Sequence, residues 1–418
     1  MIELAPQQSE ALDEIARWWE YAADPFRSRQ IFRLFGYAGT GKTTIAELVP
    51  ELLGLVGRVR FAAYTGKAAH VLARKGCSPV STIHSMIYHP VEVVSECPYG
   101  EACEARDVDK GACAHMIKSV EFVRKESLDS ELDTTYEDED MRVEEPHTAL
   151  IILDEVSMVS EELARDLLSF GVRVLVLGDP AQLPPINGTG YFTQATPDFM
   201  LTEVHRQASE SPVLALATGV RTAKSDLVRK GGKARPSMAD LAAAGQVLCW
   251  RNATRWSVVR TLRGAMGRAH GVPMPGDRVM CIANNRGLGV FNGQQFWVTS
   301  VGERTAFGTY ELGLVDDEPR VYRIEAMAGG FVDQLGEEEV RKNGSRGVWA
   351  AMTFANAITV HKAQGSEWDS VIVIDESAGL EWMTNKRGED GAAARRTWLY
   401  TAITRASREV VLADARGW

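Results

Sequence analysis

Short, almost wholly apolar runs rich in β-branched and aromatic residues recur along the chain at Ile31–Phe35, Val59–Tyr64, Ala149–Leu153, Val172–Leu177, Gln246–Trp250, Ala355–Val360, Val371–Asp375 and Glu409–Ala413. Longer stretches with helical spacing separate them. Runs of this length without polar alternation fit strands buried on both faces, so the pattern predicts an α/β architecture with parallel sheets. The texture changes between Gly276 and Glu325, where Arg278–Ile282, Phe296–Val301 and Val321–Glu325 follow one another without helices and Asn292-Gly293 gives a hairpin turn signal. That region predicts a small all-β insert. From about Tyr88 to Pro146 no periodicity is clear, and the segment reads as an insertion. Lys224–Gly245, with its Lys-Gly-Gly-Lys and Arg-Pro steps, reads as a linker, and no repeat of 20–50 residues is evident.

A length of 418 residues implies two or more domains, and ordinary globular composition excludes collagenous, coiled-coil and wholly disordered chains. Met1 to Trp19 carries four acids before any basic residue, and no apolar run approaches the ~20 residues of a membrane span, so a cytoplasmic chain is expected. The net charge of −10 is mostly local: Glu126 to Glu145 holds ten acids and one arginine, a net of −9, and the remainder sums to −1. Such a run is expected to be a solvated loop, and the global charge therefore does not exclude an anionic partner.

The sharpest signal is Gly36-Tyr-Ala-Gly-Thr-Gly41-Lys42-Thr43, which follows the run Ile31–Phe35 and opens a helix through Thr44–Leu53. This is a phosphate loop in its required strand–turn–helix setting. Gly36, Ala38, Gly39, Thr40, Gly41, Lys42, Thr43 and Thr44 are the expected nucleotide contacts: backbone N–H groups and the helix N-terminus face the phosphates, Lys42 neutralises charge, and Thr43 offers a hydroxyl to Mg²⁺. Ala149–Leu153 then delivers Asp154-Glu155 at a strand's carboxyl end, where ligands of open α/β sheets bind. Asp154 is expected to hold Mg²⁺ with Thr43, and Glu155 to polarise the attacking water. Val172–Leu177 runs into Gly178-Asp-Pro-Ala-Gln182-Leu-Pro-Pro185, which places the amide of Gln182 at the same edge, suited to sensing a γ-phosphate.

The order of segments resembles superfamily 1 helicases, closest to the RecD-like and Dda-like 5′→3′ branch, over nearly the whole chain. The resemblance rests on Leu4–Ala11 with Gln8, the phosphate loop, Ala63–Ala69 (motif Ia), Ser81–His84 (Ib), Asp154–Ser157 (II), Gly178–Pro185 (III), Leu201–Gln207 (IV), Thr359–Glu367 (V) and Tyr400–Ala406 (VI). It implies two tandem RecA-like P-loop domains, the first at 1–87 and 147–197, the second at 198–275 and 347–418. An accessory insertion at 88–146 and an SH3-like β insert at 276–346 complete the expected organisation. It further implies ATP hydrolysis with Mg²⁺ in the cleft between the two domains, coupled to 5′→3′ movement on single-stranded DNA and to duplex unwinding. Gln8 would read the adenine, Arg206 and Arg405 would reach across the cleft as fingers, and Gly365 and Glu367 would touch the nucleotide from the second domain. Thr65, Lys67, Thr82, His84, Thr359 and His361 would line the single strand, with Asn284, Asn285 and Arg286 of the β insert as further candidates.

Two other readings share these motifs: an ATPase or translocase subunit of a recombination or nuclease complex, and a DNA-bound ATP switch. No nuclease constellation is visible, and a monomer with possible replication or recombination partners is expected. The insertion stands where relatives carry a strand-splitting hairpin, and here it is long and acidic; Tyr88 and Tyr99 are candidates for stacking or for ordinary packing. It also holds Cys97, Cys103, Cys113 and His115, which fit reduced thiols, a structural zinc site with unusually wide spacing, or redox or iron–sulfur chemistry.

Overall fold

The computed structural model describes residues 4–21, 29–94, 106–107, 112–113, 118–129, 147–184, 190–203, 211–223, 235–285, 288–316, 320–343, 349–416 and 418. The first domain is a six-stranded parallel sheet in the order β10-β1-β9-β8-β2-β3. Its strands are β1 (Ile31–Gly36), β2 (Val59–Ala63), β3 (Val80–Thr82), β8 (Leu150–Asp154), β9 (Arg173–Gly178) and β10 (Phe199–Leu201). Helices α1 (Pro6–Glu20), α2 (Lys42–Leu52), α3 (Gly66–Arg74), α4 (Ile83–Ile87) and α5 (Glu161–Leu168) cover it. Leu150 to Leu153 have no exposed surface, as expected of a strand with both faces covered. Because β10 pairs in parallel with β1, the first domain extends past the expected boundary at residue 197.

The second domain has a four-stranded parallel sheet, β17-β11-β18-β19, formed by β11 (Gln246–Cys249), β17 (Ala357–Thr359), β18 (Trp368–Asp375) and β19 (Ala406–Asp414). Its helices are α6 (Pro212–Arg221), α7 (Met238–Ala243), α8 (Asn252–Ala265), α10 (Ser377–Lys386) and α11 (Gly391–Ile403). The stretch expected to be a linker at Lys224–Gly245 thus contains α7, while residues 224–234 lie outside the described set.

The β insert is a five-stranded antiparallel sheet, β15-β14-β13-β12-β16. Its strands are β12 (Arg278–Cys281), β13 (Gln295–Arg304), β14 (Thr309–Val315), β15 (Val321–Met327) and β16 (Met352–Phe354). Among the described residues of Gly276–Glu325 there is no helix, as expected; helix α9 (Gln334–Asn343) follows β15 within the wider 276–346 span, with Val340 on its buried side. The single apolar run Ala355–Val360 resolves differently: β16 completes the insert's sheet just before it, the chain crosses at Ala355-Asn356, and β17 joins the second domain. The insert's sheet therefore reaches beyond residue 346. Asn292-Gly293 does make a turn, with Gly293 at φ +88° and Gln294 N donating to Phe291 O at 3.0 Å, but it closes a long β12–β13 connection and not a two-residue hairpin.

In the accessory insertion, β4 (Tyr88–Val94) and β7 (Lys118–Arg124) form an antiparallel ribbon, with a two-residue pairing of β5 (Arg106–Asp107) and β6 (Ala112–Cys113) beyond it. Cys97, Cys103, His115, Tyr99 and residues 130–145 of the acidic run lie outside the described residues, and Cys113 falls in β6. Tyr88 donates its hydroxyl to Asp166 of α5, which is the packing reading of that residue. Cys77, Cys249 and Cys281 are buried free thiols, with burial pushing Cys77 and Cys281 up to about 11. Among the described residues no helix is long and apolar enough to cross a membrane.

Candidate nucleotide cleft and strand-facing surface

The phosphate loop is built by strand β1 ending at Gly36 and helix α2 starting at Lys42. Gly41, the residue before that helix, stands at φ +84°, and a Cβ there would collide with Gln8 Nε2, so only glycine fits. Gln8 is itself buried: its Nε2 donates to Thr40 O at 3.1 Å, and its Oε1 accepts from Ala5 N at 2.9 Å. It therefore braces the loop from α1, in the same place where the resemblance puts an adenine reader. Lys42 Nζ donates to Gly36 O at 2.7 Å and to Tyr37 O at 3.2 Å, and so lies folded into the cradle.

Beside the loop, Thr43 Oγ1 donates to Asp154 Oδ2 at 3.3 Å. Burial, and then the neighbouring Glu155, push the Asp154 carboxyl upward, and Lys42 opposes them. A desolvated carboxylate next to a hydroxyl is the hard-oxygen donor set that suits Mg²⁺, so the residues fit that ion. Glu155 occupies the left-handed region at φ 53°, ψ 45°, which costs a non-glycine residue about 1–2 kcal/mol. In this turn the Glu155 N–H donates to Asp154 Oδ1 at 2.8 Å, while its carboxylate faces Arg405 and Gln182 in the cleft.

Across the cleft, Arg405 is 5% exposed and is fixed by two backbone carbonyls: Nε donates to Thr401 O at 3.2 Å and Nη1 to Ser366 O at 3.3 Å. Its Nη1 lies 3.8 Å from Glu155 Oε1. Gln182 stands between them. With its amide assigned from its neighbours, it donates to Glu155 Oε2 at 3.2 Å and accepts from Arg405 Nη2 at 3.2 Å. The structure thus brings Glu155, Gln182 and Arg405 from three separated segments into one hydrogen-bonded group. Arg206 lies outside the described residues.

Further contacts at this seam carry no spacing signal in the sequence. Tyr400 donates to Asp179 Oδ2 at 2.7 Å and accepts from Ala38 N at 2.9 Å. Leu183 N donates to Thr401 Oγ1 at 2.9 Å, and Leu183 O accepts from Gln364 Nε2 at 2.8 Å. The Arg221 guanidinium sits 3.5 Å over the Tyr37 ring. Only the motif order placed the Asp179 and Tyr400 segments near each other, and nothing pointed to Arg221.

The expected strand-facing residues gather at the carboxyl ends of parallel strands. Thr65 and Thr82 cap α3 and α4, their hydroxyls accepting from Ala68 N at 3.2 Å and Ser85 N at 3.1 Å. A capping hydroxyl accepts and still has an O–H to donate, so both jobs are chemically compatible. His84 lies against Tyr88 with ring centroids 5.3 Å apart, Thr359 Oγ1 accepts from Lys362 N at 3.4 Å, and burial lowers the His361 pKa. Lys67 Nζ stands 4.4 Å over the Trp368 ring of the second domain. A cavity of about 240 Å³ opens between α3 and the β insert, lined by Lys67, His70, Arg74, Phe291, Arg320 and Tyr322 among others.

Gly365 and Glu367 were expected at the nucleotide, but the contacts found for them lie on this other side. Gly365, at φ +73°, packs on Thr65 and Ala68, and Glu367 lines the cavity. Asn284 and Asn285 hold their own loop: Asn284 Oδ1 accepts from Asn292 N at 2.8 Å, and Asn285 Nδ2 donates to Trp349 O at 3.2 Å. Arg286 lies outside the described residues.

Two parallel sheets facing across a phosphate-loop cleft define a P-loop protein with tandem RecA-like domains. Residues 3–236, more than half of the chain, match the family described as the AAA domain, to which the chain belongs, and residues 354–413 match the UvrD-like helicase C-terminal domain. An ATP-dependent RecD2 DNA helicase of Deinococcus radiodurans is 25% identical over 96% of this chain and 48% of its own length, so the chain spans about half of that curated relative. The yeast DNA replication ATP-dependent helicase/nuclease DNA2 is 28% identical over 43% of this chain and 11% of its own. Among solved structures, Bacteroides Pif1 bound to single-stranded DNA superposes with a TM-score of 0.55 at 19% identity, covering 99% of this chain and 92% of that one. The likeness to superfamily 1 helicases of the RecD-like branch, expected from the motif order, is borne out, and the resemblance to Pif1 in fold was not part of that expectation.

Proposed function

We propose that the chain is an ATP-dependent DNA helicase that hydrolyses Mg²⁺-ATP between its two RecA-like domains while moving 5′→3′ along single-stranded DNA. The carrying observation is the group Glu155–Gln182–Arg405, which joins a candidate water-polarising carboxylate, a γ-phosphate-sensing amide and a cross-cleft cation at 3.2–3.8 Å. Thr43 and Asp154 would hold Mg²⁺, which when bound would neutralise charge developing on the phosphates. Lys42 would turn from the Gly36 and Tyr37 carbonyls toward the phosphate oxygens, and Glu155 would accept the proton of the attacking water. Arg405, with Arg206, would stabilise negative charge from the second domain.

The strand would run past the carboxyl ends of β2, β3 and β17, meeting Thr65, Thr82, Thr359 and His361, and would enter the cavity between α3 and the β insert. There the cations Lys67, Arg74 and Arg320 suit phosphates, and the rings of Phe291 and Tyr322 suit bases of any sequence. The name of the Deinococcus relative and the single strand in the Bacteroides structure support this reading.

Strand displacement tests it. A duplex with a 5′ single-stranded tail should be unwound and one with only a 3′ tail should not. The reverse preference refutes the polarity, and ATPase without displacement of either substrate favours a translocase subunit of a larger complex.

A further inference from the structure

The motif III turn, Asp179–Leu183, is gripped by the second domain at points the functional reading above does not use. Tyr400 is 2% exposed and Asp179 4%, so their bond is shielded from water. The Tyr400 hydroxyl has one proton, which it gives to Asp179 Oδ2 at 2.7 Å, while its oxygen takes the N–H of Ala38 at 2.9 Å. A single side chain of α11 therefore touches the phosphate loop and the motif III turn at once.

Asp179 in turn shapes that turn. Its Oδ1 accepts from Ala181 N at 3.0 Å, and its backbone carbonyl accepts from Gln182 N at 3.2 Å. Gln182 is the residue that this turn presents between Glu155 and Arg405. The next side chain of α11, Thr401, accepts from Leu183 N on the far side of the same turn, and Arg405 follows just after the helix ends. The end of α11 thus holds the turn at Asp179, at Leu183 and, through Arg405, at Gln182. Burial raises the Asp179 carboxyl, while Lys42 and the Tyr400 hydroxyl favour its ionised form, so the bond joins a hydroxyl to a desolvated acid.

We propose that Tyr400 is a positioning residue for hydrolysis: its hydroxyl ties Ala38 of the phosphate loop to the Asp179 turn and so fixes where Gln182 and Glu155 stand. This inference rests on the ATPase reading above. Tyr400→Phe keeps the ring and its packing and removes only the hydroxyl. The expected result is a fall of about tenfold in kcat for DNA-stimulated ATP hydrolysis, with KM for ATP within about threefold and a Tm lowered by only a few degrees, because Asp179 Oδ2 and Ala38 N each lose a partner. A merely structural tyrosine would lower Tm in the same way but leave kcat of the folded protein, assayed well below Tm, within about twofold of the parent.

Asp179→Asn, alone and combined with Tyr400→Phe, tests the route. If the hydroxyl acts through Asp179, the double variant should be no more than about twofold worse than the poorer single one. A Tyr400→Phe protein with kcat within about twofold of the parent, or fully multiplicative losses in the double variant, overturns the proposal. The outcomes separate the two levels of inference. Turnover that depends on Lys42 but ignores Tyr400→Phe removes only the positioning role, whereas a parent chain without DNA-stimulated turnover removes the ATPase reading and this inference with it.

Discussion

Arg405→Ala isolates what the second domain contributes to hydrolysis. The parent guanidinium is nearly buried, and two carbonyls, Thr401 O and Ser366 O, orient its fork so that Nη2 meets Gln182. Removing it leaves the nucleotide-binding elements of the first domain intact: Gln8 still braces Thr40, and the loop glycines keep their conformation. Glu155 loses its cation, but its side chain is 28% exposed, so water replaces the contact and the fold should survive.

Cross-cleft arginines of this kind contribute ~10³–10⁵ to kcat; with the guanidinium oriented by backbone carbonyls, we expect a loss of ~10³, about 4 kcal/mol of transition-state stabilisation. Arg405→Lys keeps the charge, yet one ammonium cannot reach Thr401 O, Ser366 O and Gln182 together, so a loss of ~10² is expected. The assay pairs steady-state phosphate release, with and without single-stranded DNA, with titration of a fluorescent ADP analogue, whose affinity should change by less than ~threefold. If nucleotide affinity falls in parallel with kcat in a folded variant, Arg405 is a ground-state ligand or a structural residue and the finger assignment is wrong.

Lys42→Ala and Glu155→Gln should each lower DNA-stimulated ATPase at least ~100-fold in a folded protein, and near-normal turnover in either removes that residue from the chemistry. His361 gives a pH prediction. Burial lowers its pKa, so on acidification the unfolded chain takes up the proton first, and its contribution to stability is present above the ordinary histidine range and lost as pH falls through the lowered value. His361→Gln should therefore lose less Tm than the parent between about pH 7.5 and about pH 5.5; an equal or larger loss contradicts the assignment.

The phosphate loop and Asp154-Glu155 were legible in the sequence because each is local: one strand, one turn, and residue types dictated by phosphate and metal chemistry. The Tyr400–Asp179 bond joins positions 221 residues apart, and no spacing rule connects a helix end to a turn in another domain. Ala355–Val360 read as one strand because every residue but Asn356 there is apolar or packs as such, and hydrophobicity does not register that the chain changes sheets. Helix α9 was hidden by its polarity: Gln334–Asn343 contains three successive glutamates, and Glu337 is buried only because Arg255 and Lys362 reach it. Phe199–Leu201 is too short to stand out, and the register of β1 recruits it.

How the cores are divided decides which parts of the molecule can move together. One apolar cluster runs from Val247 and Trp256 of the second domain through Val279 and Phe296 into Leu312 and Ile324 of the insert, so separating these two would expose a continuous core. At the seam with the first domain, apolar contact is limited to residues such as Leu183, with Ala38 and Ala181 half-buried beside it, and much of the joining is done by single hydrogen bonds at Asp179, Gln182 and Leu183. Each such bond contributes about 1 kcal/mol net, which permits breaking and re-forming in every cycle. On the proposed reading, the insert would move with the second domain. Phe291 of the insert packs on Gly66 at the start of α3, so any opening of the nucleotide cleft would also shift the wall of the strand-facing cavity. Nucleotide state and grip on the strand would then be geared to one motion, because the insert shares an apolar core with the second domain while the seam to the first domain is largely polar.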